Sequence, residues 1–233
     1  MSRFVVTGGA GFIGSGLVRA LVADGATEVA VIDNLLSGKR ENLSGVAGRV
    51  DLFVEDVRNY DALLAIVEGA DTVFHLAAIP SVPRSIREPV PSHDVNINGT
   101  FNVYRAAAEA KVRRVVYAAS SSAYGDTLVL PKEESMLPRP KSPYALQKLM
   151  GEYYGSVFHT CFGLEAVSLR FFNVFGPRQD PGSPYSGVLS LFMMSKCSAI
   201  CMTCQRLTCV CNSICTTLDA CLTNKKAKLF KSG

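Results

Sequence analysis

The sequence has no tryptophan and no long hydrophobic run. The most apolar stretch, residues 187–202, is interrupted by Lys196 and is too short to span a bilayer, so we expect no membrane partner. The apolar run in residues 3–7 is followed at once by glycines, unlike a signal peptide. With 48% hydrophobic and 19% charged residues, the composition excludes intrinsic disorder and collagen-like structure. We therefore expect a folded, cytoplasmic protein.

Cysteine is nearly absent from the first 190 residues, where Cys161 stands alone, and this excludes a small disulfide-stapled scaffold. Residues 1–189 carry 18 basic and 19 acidic side chains, a balance that leaves no electrostatic footprint for nucleic acid. Residues 190–233 differ, because they carry 6 basic side chains, 1 acidic side chain and seven cysteines, with no glycine before Gly233. We predict one domain over residues 1–193 and a distinct, cysteine-rich basic tail over residues 194–233.

Within the domain, short apolar strands alternate with segments of helical periodicity. The predicted strands are residues 3–7, 28–32, 50–54, 72–76, 114–119 and 165–170, and the predicted helices are residues 12–24, 60–67, 93–110 and 143–159. Alternation of this kind predicts an α/β fold, a doubly wound parallel sheet with helices on both faces.

The first strand leads into a glycine-rich turn, Gly8-Gly9-Ala10-Gly11-Phe12-Ile13-Gly14. Glycine permits a tight turn and a close approach of the backbone to a pyrophosphate, and the following helix offers free N–H groups to the anion. Asp33 follows the second strand, where a carboxylate can accept hydrogen bonds from the adenosine ribose and repel a 2′-phosphate. The turn therefore predicts a dinucleotide site that favours NAD over NADP, with Lys39 and Arg40 close enough to keep NADP as an alternative.

The segments that follow two further strands are also expected to lie beside the cofactor. Asp56 and Val57 follow the third strand, where an adenine amino group can be held. His75 ends the fourth strand, and we interpret it as a structural, hydrogen-bonded histidine. The small residues after it allow the backbone to lie against the cofactor.

Serines follow the fifth strand, and a tyrosine and a lysine lie further along the chain. Tyr144 and Lys148 are four residues apart, so they share one face of the predicted helix. An ammonium near a phenol favours the phenolate, which can act as a base on a sugar hydroxyl. Ser120 can hydrogen-bond the same hydroxyl. We predict that these three residues are catalytic.

The combined motifs resemble the extended short-chain dehydrogenase/reductase family, in particular its NAD-dependent nucleotide-sugar epimerases and dehydratases. The motifs that carry the resemblance extend over about residues 3–192 and are the glycine turn, Asp33-Asn34, Asp56-Val57, His75-Leu76-Ala77-Ala78, Asn96-Ile97-Asn98-Gly99-Thr100, Ser120-Ser121-Ser122, the pair Tyr144 and Lys148, and Arg170-Phe171-Phe172-Asn173-Val174-Phe175-Gly176-Pro177-Arg178. Within the family, the chain looks most like UDP-glucose and UDP-N-acetylglucosamine 4-epimerases. The resemblance implies a Rossmann-type fold.

The resemblance also implies a set of ligand contacts. The residues expected to bind NAD are Gly8, Gly11, Phe12, Ile13, Gly14, Asp33, Asn34, Asp56, Val57, Leu76, Ala77, Ala78, Asn96, Tyr144, Lys148 and Phe172. The residues expected to bind the UDP-sugar are Ser81, Arg84, Ser120, Ser121, Ser122, Tyr144 and Asn173, with the alternative that Ser121 and Ser122 only terminate the strand. No metal ligand is expected.

The implied reaction is a 4-epimerisation. Tyr144 takes the proton of the sugar 4-hydroxyl, Ser120 holds that oxygen, and Lys148 binds the nicotinamide ribose and keeps the pKa of the tyrosine low. Hydride passes to NAD, the 4-keto sugar rotates, and hydride returns to its other face. The dehydratases of the family carry Thr-Asp-Glu where this chain has Ser120-Ser121-Ser122, so an epimerase is favoured.

The resemblance ends near residue 193, and the smaller substrate domain of the family is expected to be largely absent. The tail contains one C-x2-C pair, formed by Cys201 and Cys204, and no histidine, so a zinc module is the weaker interpretation. Disorder, a shifted reading frame, alternative splicing and a truncated transcript remain open explanations of the tail.

Three hypotheses for function follow: an epimerase with doubtful turnover, an NAD-binding fragment without turnover, and a redox-responsive or metal-responsive protein whose tail is the working part. The resemblance further implies a homodimer through a four-helix bundle, formed by the helices that contain residues 106–110 and 144–158.

Overall fold

The computed structural model describes residues 2–176 and residue 179. The chain divides into two units, residues 1–172 and residues 173–233. Of the second unit, only residues 173–176 and 179 are described, and there the N–H of Gln179 donates to the carbonyl of Gly176 at 3.3 Å. The predicted boundary at residue 193 and the cysteine-rich tail lie outside the described residues.

The first unit is built on one six-stranded sheet in which all strands are parallel, in the order β3-β2-β1-β4-β5-β6. The strands are β1 (Arg3–Thr7), β2 (Glu28–Ile32), β3 (Asp51–Phe53), β4 (Thr72–His75), β5 (Arg114–Ser120) and β6 (Glu165–Phe171). All six predicted strands are present, and the predicted Rossmann-type fold is confirmed.

The helices that connect the strands are α1 (Phe12–Ala23), α2 (Tyr60–Val67), α3 (Val82–Arg87), α4 (Pro89–His93), α5 (Thr100–Glu109) and α6 (Pro143–Phe162). Arg40–Arg49 and Ser121–Tyr124 form 3₁₀ turns. Helices α2, α5 and α6 pack together, whereas α1 packs with the first 3₁₀ segment. Because the order of the strands reverses after β3 and crossovers in parallel sheets are right-handed, these two groups cover opposite faces.

The strands in the middle of the sheet are buried because helices cover both faces. Val5, Val6 and Val73 have no exposed surface, and each residue of β4 is buried. Side chains of β-branched residues suit such strands because they pack well on a pleated surface. Every residue of the edge strand β6 is only partly buried.

One predicted helix, residues 93–110, is interrupted by a wider turn. The π-helical segment Asp94–Gly99 joins α4 to α5 without a break in helical backbone angles. A Cβ atom on Gly99 would come within 2.6 Å of Val57 Cγ2, so the absent side chain allows this segment to lie directly on the chain that follows β3. Turns of this kind occur frequently at functional sites.

Helix α3 was not predicted, and helix α6 is longer than predicted. Ser81 caps α3 by accepting a hydrogen bond from Arg84 N–H at 3.0 Å. Helix α6 begins at Pro143 after the N-cap Ser142, and its C-cap is Gly163, which lies in the left-handed region with φ of 70°. Among the described residues, none of the helices is long and apolar enough to cross a membrane.

Candidate active site

The carboxyl ends of β1 and β4 lie side by side, with Thr7 paired to His75. The strand order reverses at this point, and in open parallel sheets ligands bind in the crevice formed there. The glycine turn follows β1, and the catalytic candidates follow β5, the next strand after β4. The topology therefore brings the two predicted constellations to the same edge of the sheet.

The glycine turn depends on the absence of side chains. Gly8 has φ of 71°, and a Cβ atom there would lie 2.7 Å from the backbone nitrogen of Ala77. A Cβ atom on Gly14 would overlap the carbonyl oxygen of Gly8. In both cases the obstacle is backbone, which cannot move aside as a flexible side chain can. Gly8 and Gly14 therefore let the turn fold onto itself and onto the chain after β4.

The start of α1 is suited to a phosphate group. Gly11 is the N-cap, no side chain caps the helix, and the first turn contains no acidic residue. The first N–H groups of the helix, those of Phe12, Ile13 and Gly14, have no carbonyl partner within it. They can therefore donate to an anion, and the residues present fit the diphosphate of a dinucleotide.

Asp33 lies at the end of β2 and is 6% exposed. Its Oδ2 accepts from Ala10 N–H and its Oδ1 accepts from Leu35 N–H, each at 2.9 Å. A Cβ atom on Gly38 would come within 2.7 Å of Oδ1, so the chain folds closely over the carboxylate. Each carboxylate oxygen has a second lone pair that can accept from a ribose hydroxyl. The carboxylate is therefore oriented by the backbone and retains capacity for a ligand.

Asn34 and Asp56, both expected near the adenosine, contact each other. Asn34 Nδ2 donates to Asp56 Oδ2 at 2.8 Å. Arg58 donates to both oxygens of Asp56 at 2.9 Å and also reaches Asp94. The Arg58 hydrogen bonds hold the pKa of Asp56 at about 2. Asp56 is therefore ionised at neutral pH.

His75 is fully buried and lies in a chain of hydrogen bonds whose direction can be deduced. Thr7 Oγ1 accepts from Ala77 N–H, and Thr100 Oγ1 donates to the carbonyl of Asn96. Thr100 therefore receives the Nε2 proton of His75 at 2.9 Å, and Thr7 donates to Nδ1 at 2.7 Å. Burial, with Lys148 nearby, lowers the pKa of His75 to about 3. The predicted structural role of this histidine is confirmed.

Two elements, β5 and α6, bring the three predicted catalytic residues together. Ser120 ends β5, and Tyr144 and Lys148 lie in the first two turns of α6. Ser120 Oγ accepts from both the N–H and the hydroxyl of Ser122, at 3.2 and 2.8 Å. With both lone pairs occupied, the Ser120 hydroxyl proton is directed to another acceptor, and Ser120 lies close enough to Tyr144 to lower its pKa.

The electrostatics of Tyr144 differ from the sequence-based expectation. Burial raises the pKa of its phenol, and the nearby Ser120 hydroxyl acts in the opposite direction. Lys148 was expected to lower this pKa, but its ammonium donates to the carbonyl of Ala118 at 2.9 Å and lies 5.0 Å from the ring centre of Tyr117. Burial lowers the pKa of Lys148 to about 8. The loss of solvent around Tyr144 outweighs the effect of Ser120 on its pKa.

The residues expected on the substrate side are spread over several elements. Arg84 lies on α3, and its Nε donates to Glu88 at 3.0 Å. Ser81 caps that helix with φ of 126°, which is unusual for a residue with a side chain. Ser121 and Ser122 begin the 3₁₀ turn after β5. Asn173 is exposed and belongs to the second unit. Contact of these residues with a sugar nucleotide stays a prediction.

Two of the expected cofactor residues have well-defined surroundings. The ring of Phe172 stacks on Tyr124 with a centroid distance of 6.4 Å. Asn96 is 1% exposed, and its amide bonds both the N–H and the carbonyl of Ile79, at 2.8 and 3.0 Å. Asn96 thus holds the chain that follows Leu76, Ala77 and Ala78, and direct contact between its side chain and NAD stays a prediction.

Sequence analysis assigned no role to two buried side chains that contact the start of α6. Ser85 Oγ accepts from Tyr144 N–H at 3.1 Å and is fully buried. Gln147 lies between Tyr144 and Lys148, is 3% exposed, and accepts from Ser92 and Asn96. No motif identifies either residue, because a serine or glutamine on a short polar segment usually faces solvent.

Known proteins share this architecture. The model of the NAD-dependent epimerase/dehydratase family matches residues 4–197. A UDP-glucose 4-epimerase of Mycolicibacterium smegmatis is 39% identical over 194 residues, which cover 82% of this chain and 61% of the relative. Among solved structures, a UDP-N-acetylglucosamine 4-epimerase from Methanobrevibacter ruminantium, in complex with UDP-N-acetylmuramic acid, has a TM-score of 0.79 at 42% identity, covering 84% of this chain and 63% of that one.

A UDP-glucose 4-epimerase from Thermus thermophilus, solved in complex with NAD, has a TM-score of 0.72 at 42% identity and covers 78% of this chain and 59% of that one. The chain thus spans about three fifths of the length of these relatives, namely 61%, 63% and 59%. The family match covers more than half of the chain, and the fold and motif order agree with it. The chain belongs to the NAD-dependent epimerase/dehydratase family.

Proposed function

We propose that the protein is an NAD-dependent UDP-sugar 4-epimerase that acts on a UDP-hexose or a UDP-N-acetylhexosamine. One observation carries the proposal: Ser120 at the end of β5 lies close enough to Tyr144 to lower the pKa of its phenol, and Tyr144 lies one helical turn from Lys148, at the sheet edge where the glycine turn lies. The epimerase relatives support the reaction class, since two of them act on these two kinds of sugar nucleotide by name.

The residues proposed to hold NAD follow from the local chemistry of each segment. The first N–H groups of α1 bind the diphosphate, and Asp33 accepts from the adenosine ribose. Asp33 also disfavours a 2′-phosphate because two negative charges repel. When bound, NAD supplies the acceptor and donor of the hydride that leaves and returns to sugar C4.

The protein's own residues handle the proton of the sugar 4-hydroxyl. In the proposed mechanism that hydroxyl lies against Ser120 and Tyr144, and the tyrosine oxygen takes its proton. Lys148, with a pKa of about 8, is mostly an ammonium at neutral pH. Its ammonium is held by the carbonyl of Ala118, and we propose that it binds the nicotinamide ribose. Ser120 donates to the same substrate oxygen as negative charge develops there.

The serines after β5 distinguish epimerisation from dehydration. Elimination of water needs an acid and a base beside the sugar, and residues 120–122 supply only hydroxyl groups. Ser122 has a different role, since its N–H and hydroxyl both donate to Ser120. This arrangement supports a serine whose proton is aimed at the tyrosine and the substrate.

We also propose a homodimer formed through α5 and α6. The two helices pack against each other, and the apolar side chains of Phe101, Tyr153, Val157 and Phe162 are exposed on them. Sedimentation over a concentration series tests this part, because a monomer at all concentrations would contradict it.

The experiment that tests the activity uses the purified chain. NAD is released by denaturation and measured, and the absorbance of reduced nicotinamide is then followed after addition of UDP-galactose or UDP-N-acetylgalactosamine. We expect bound NAD that becomes transiently reduced, together with formation of the 4-epimer. Bound NAD that is never reduced by either sugar nucleotide would contradict the proposed activity and leave only cofactor binding.

A further inference from the structure

A buried polar cluster lies beneath the start of α6 and connects three segments of the chain. It consists of Ser92 in α4, Asn96 in the π-helical segment and Gln147 in α6, which are 1%, 1% and 3% exposed. Buried polar groups of this kind stabilise one arrangement when each is satisfied and are costly when one partner is lost.

The hydrogen-bond chemistry determines which atom of Gln147 faces the cluster. Asn96 Oδ1 accepts from Ile79 N–H, so its other side-chain atom is the Nδ2 donor. Nδ2 has two hydrogens: one goes to the Ile79 carbonyl at 3.0 Å and the other to Gln147 at 2.9 Å. The atom of Gln147 that receives it must therefore be the carbonyl oxygen, which also accepts from Ser92 at 2.8 Å.

Gln147 lies in α6 in the same turn as Tyr144 and Lys148, so its hydrogen bonds can affect where these two residues lie. Gln147 directly precedes Lys148 and follows Tyr144 by three residues, so the three occupy one turn of the helix. On the other side, Asn96 holds both backbone polar groups of Ile79, which follows the segment that touches Gly8. The amide of Gln147 thus connects the helix that carries the proton-transfer groups to the chain beside the cofactor turn.

We propose that Gln147 is a positioning residue, whose buried carbonyl oxygen, bonded by Ser92 and Asn96, sets the placement of Tyr144 and Lys148 relative to the cofactor. The expected loss of rate rests on the proposed function. The expected change in the surroundings of Tyr144 does not. A shift in the helix turn changes how deeply the Tyr144 phenol is buried and how well it meets Ser120.

The test compares Gln147→Met with Leu149→Ala. Methionine has similar length without a strong acceptor, and Leu149 is a buried apolar neighbour on the same helix, 4% exposed. The first measurement is the pKa of Tyr144. It is obtained by titration, from the difference in ultraviolet absorbance between each protein and the same protein carrying Tyr144→Phe. The groups around Tyr144 are Ser120 and Tyr117 on β5, and the Lys148 ammonium lies 5.0 Å from the ring centre of Tyr117.

We expect the pKa of Tyr144 in Gln147→Met to move down toward the ordinary value for tyrosine, since water reaches a less firmly held phenol. The rate of NAD reduction should fall about ten- to a hundredfold, because misplacement by a fraction of an ångström affects proton transfer strongly. Leu149→Ala should lower the unfolding temperature and leave the Tyr144 titration unchanged. Ser92→Ala removes one donor and should produce the same shift in smaller size, which keeps the test available if Gln147→Met fails to fold.

Two outcomes separate the inference from the proposed function. If Gln147→Met lowers the unfolding temperature like the control and leaves the Tyr144 titration unchanged, Gln147 is structural only and the inference is overturned. If the parent protein never reduces bound NAD, the proposed function fails, whereas a shifted Tyr144 titration in both Gln147→Met and Ser92→Ala would still support the positioning role.

Discussion

The two parts of the site are constructed in opposite ways. In the glycine turn, residues 8–14, a side chain at position 8 or 14 would collide with backbone, and the groups proposed to face the ligand are N–H groups of α1. At the end of β5 and the start of α6, the functional groups are side chains that burial holds in place, among them Ser120 and Lys148. The first part therefore depends on local backbone geometry and the second on the packing of distant segments.

This difference predicts different consequences of mutation. A change in the glycine turn should affect binding and stability together, because the same atoms form the turn and receive the ligand. A change among the side chains after β5 can remove chemistry while leaving cofactor binding and the fold intact. The predictions below test this separation, beginning with the largest expected effect.

Tyr144→Phe should abolish most of the reaction and leave NAD bound. Loss of a positioned acid–base group typically lowers rates by about 10²- to 10⁴-fold. Epimer formation and nicotinamide reduction are the measurements, and Tyr153→Phe, an exposed position on the same helix, is the control. If Tyr144→Phe lost NAD as well, the catalytic and cofactor parts would not be separable.

Gly14→Ala should lower both NAD affinity and stability. The new Cβ atom overlaps the Gly8 carbonyl oxygen, and overpacking of this kind costs about 1–3 kcal/mol of unfolding free energy or more. Gly16→Ala is the matched control, since it lies in the same helix with no atom within 4 Å of the new Cβ. It should stabilise the protein by about 0.5–1 kcal/mol. Equal behaviour of the two variants in thermal unfolding and NAD titration would contradict the backbone argument.

The buried His75 should make stability depend on pH. Its pKa is about 3 in the folded protein and near 6.5 when exposed, so the unfolded state binds the proton more readily between these values. This contribution to stability is present above pH 6.5 and is lost as the pH falls, by about 2 kcal/mol between pH 7 and pH 5. Urea unfolding at both pH values measures it. In His75→Gln, which cannot titrate, the difference between the two pH values should shrink by that amount, and an unchanged difference would refute the assignment.

Gly38→Ala should have the smallest effect and should act on the cofactor part alone. The new methyl group meets the Asp33 carboxylate, which is a side chain and can shift slightly. We expect NAD affinity to fall by several-fold, equivalent to about 1 kcal/mol, with little change in unfolding temperature. Gly48→Ala, where nothing lies within 4 Å of the new Cβ, is the control. A loss of affinity in both variants would point to a general effect of the loop and not to Asp33.

Most of the fold could be predicted because its signals are local. All six strands and three of the four predicted helices follow from apolar periodicity, with ends that differ by a few residues, whereas the predicted helix 93–110 is interrupted by the π-helical segment before α5. Helix α3 was missed because six residues with a proline show no periodicity. The π-helical segment could not be predicted either, because its extra residue per turn depends on what Gly99 packs against.

The candidate site likewise contains features that could be predicted from local sequence and features that could not. The residue types of the glycine turn and Asp33 indicate their role directly, since only glycine tolerates the contacts at Gly8 and Gly14. The pairing of Tyr144 with Lys148 also follows from helical spacing. The sequence could not reveal that Lys148 donates to Ala118, or that burial raises the pKa of Tyr144. These depend on how much solvent the packed segments exclude.

The sequence by itself determined the order of the strands and helices along the chain, the glycine turn and the identity of the three catalytic candidates. Each of these depends only on residue types or on their spacing within a single segment. Only the tertiary structure decided how Ser85, Ser122 and Gln147 support those candidates. Their hydrogen bonds join residues that are distant in sequence or directed by a turn, and whether a polar side chain faces solvent or a buried partner depends on the segments packed around it.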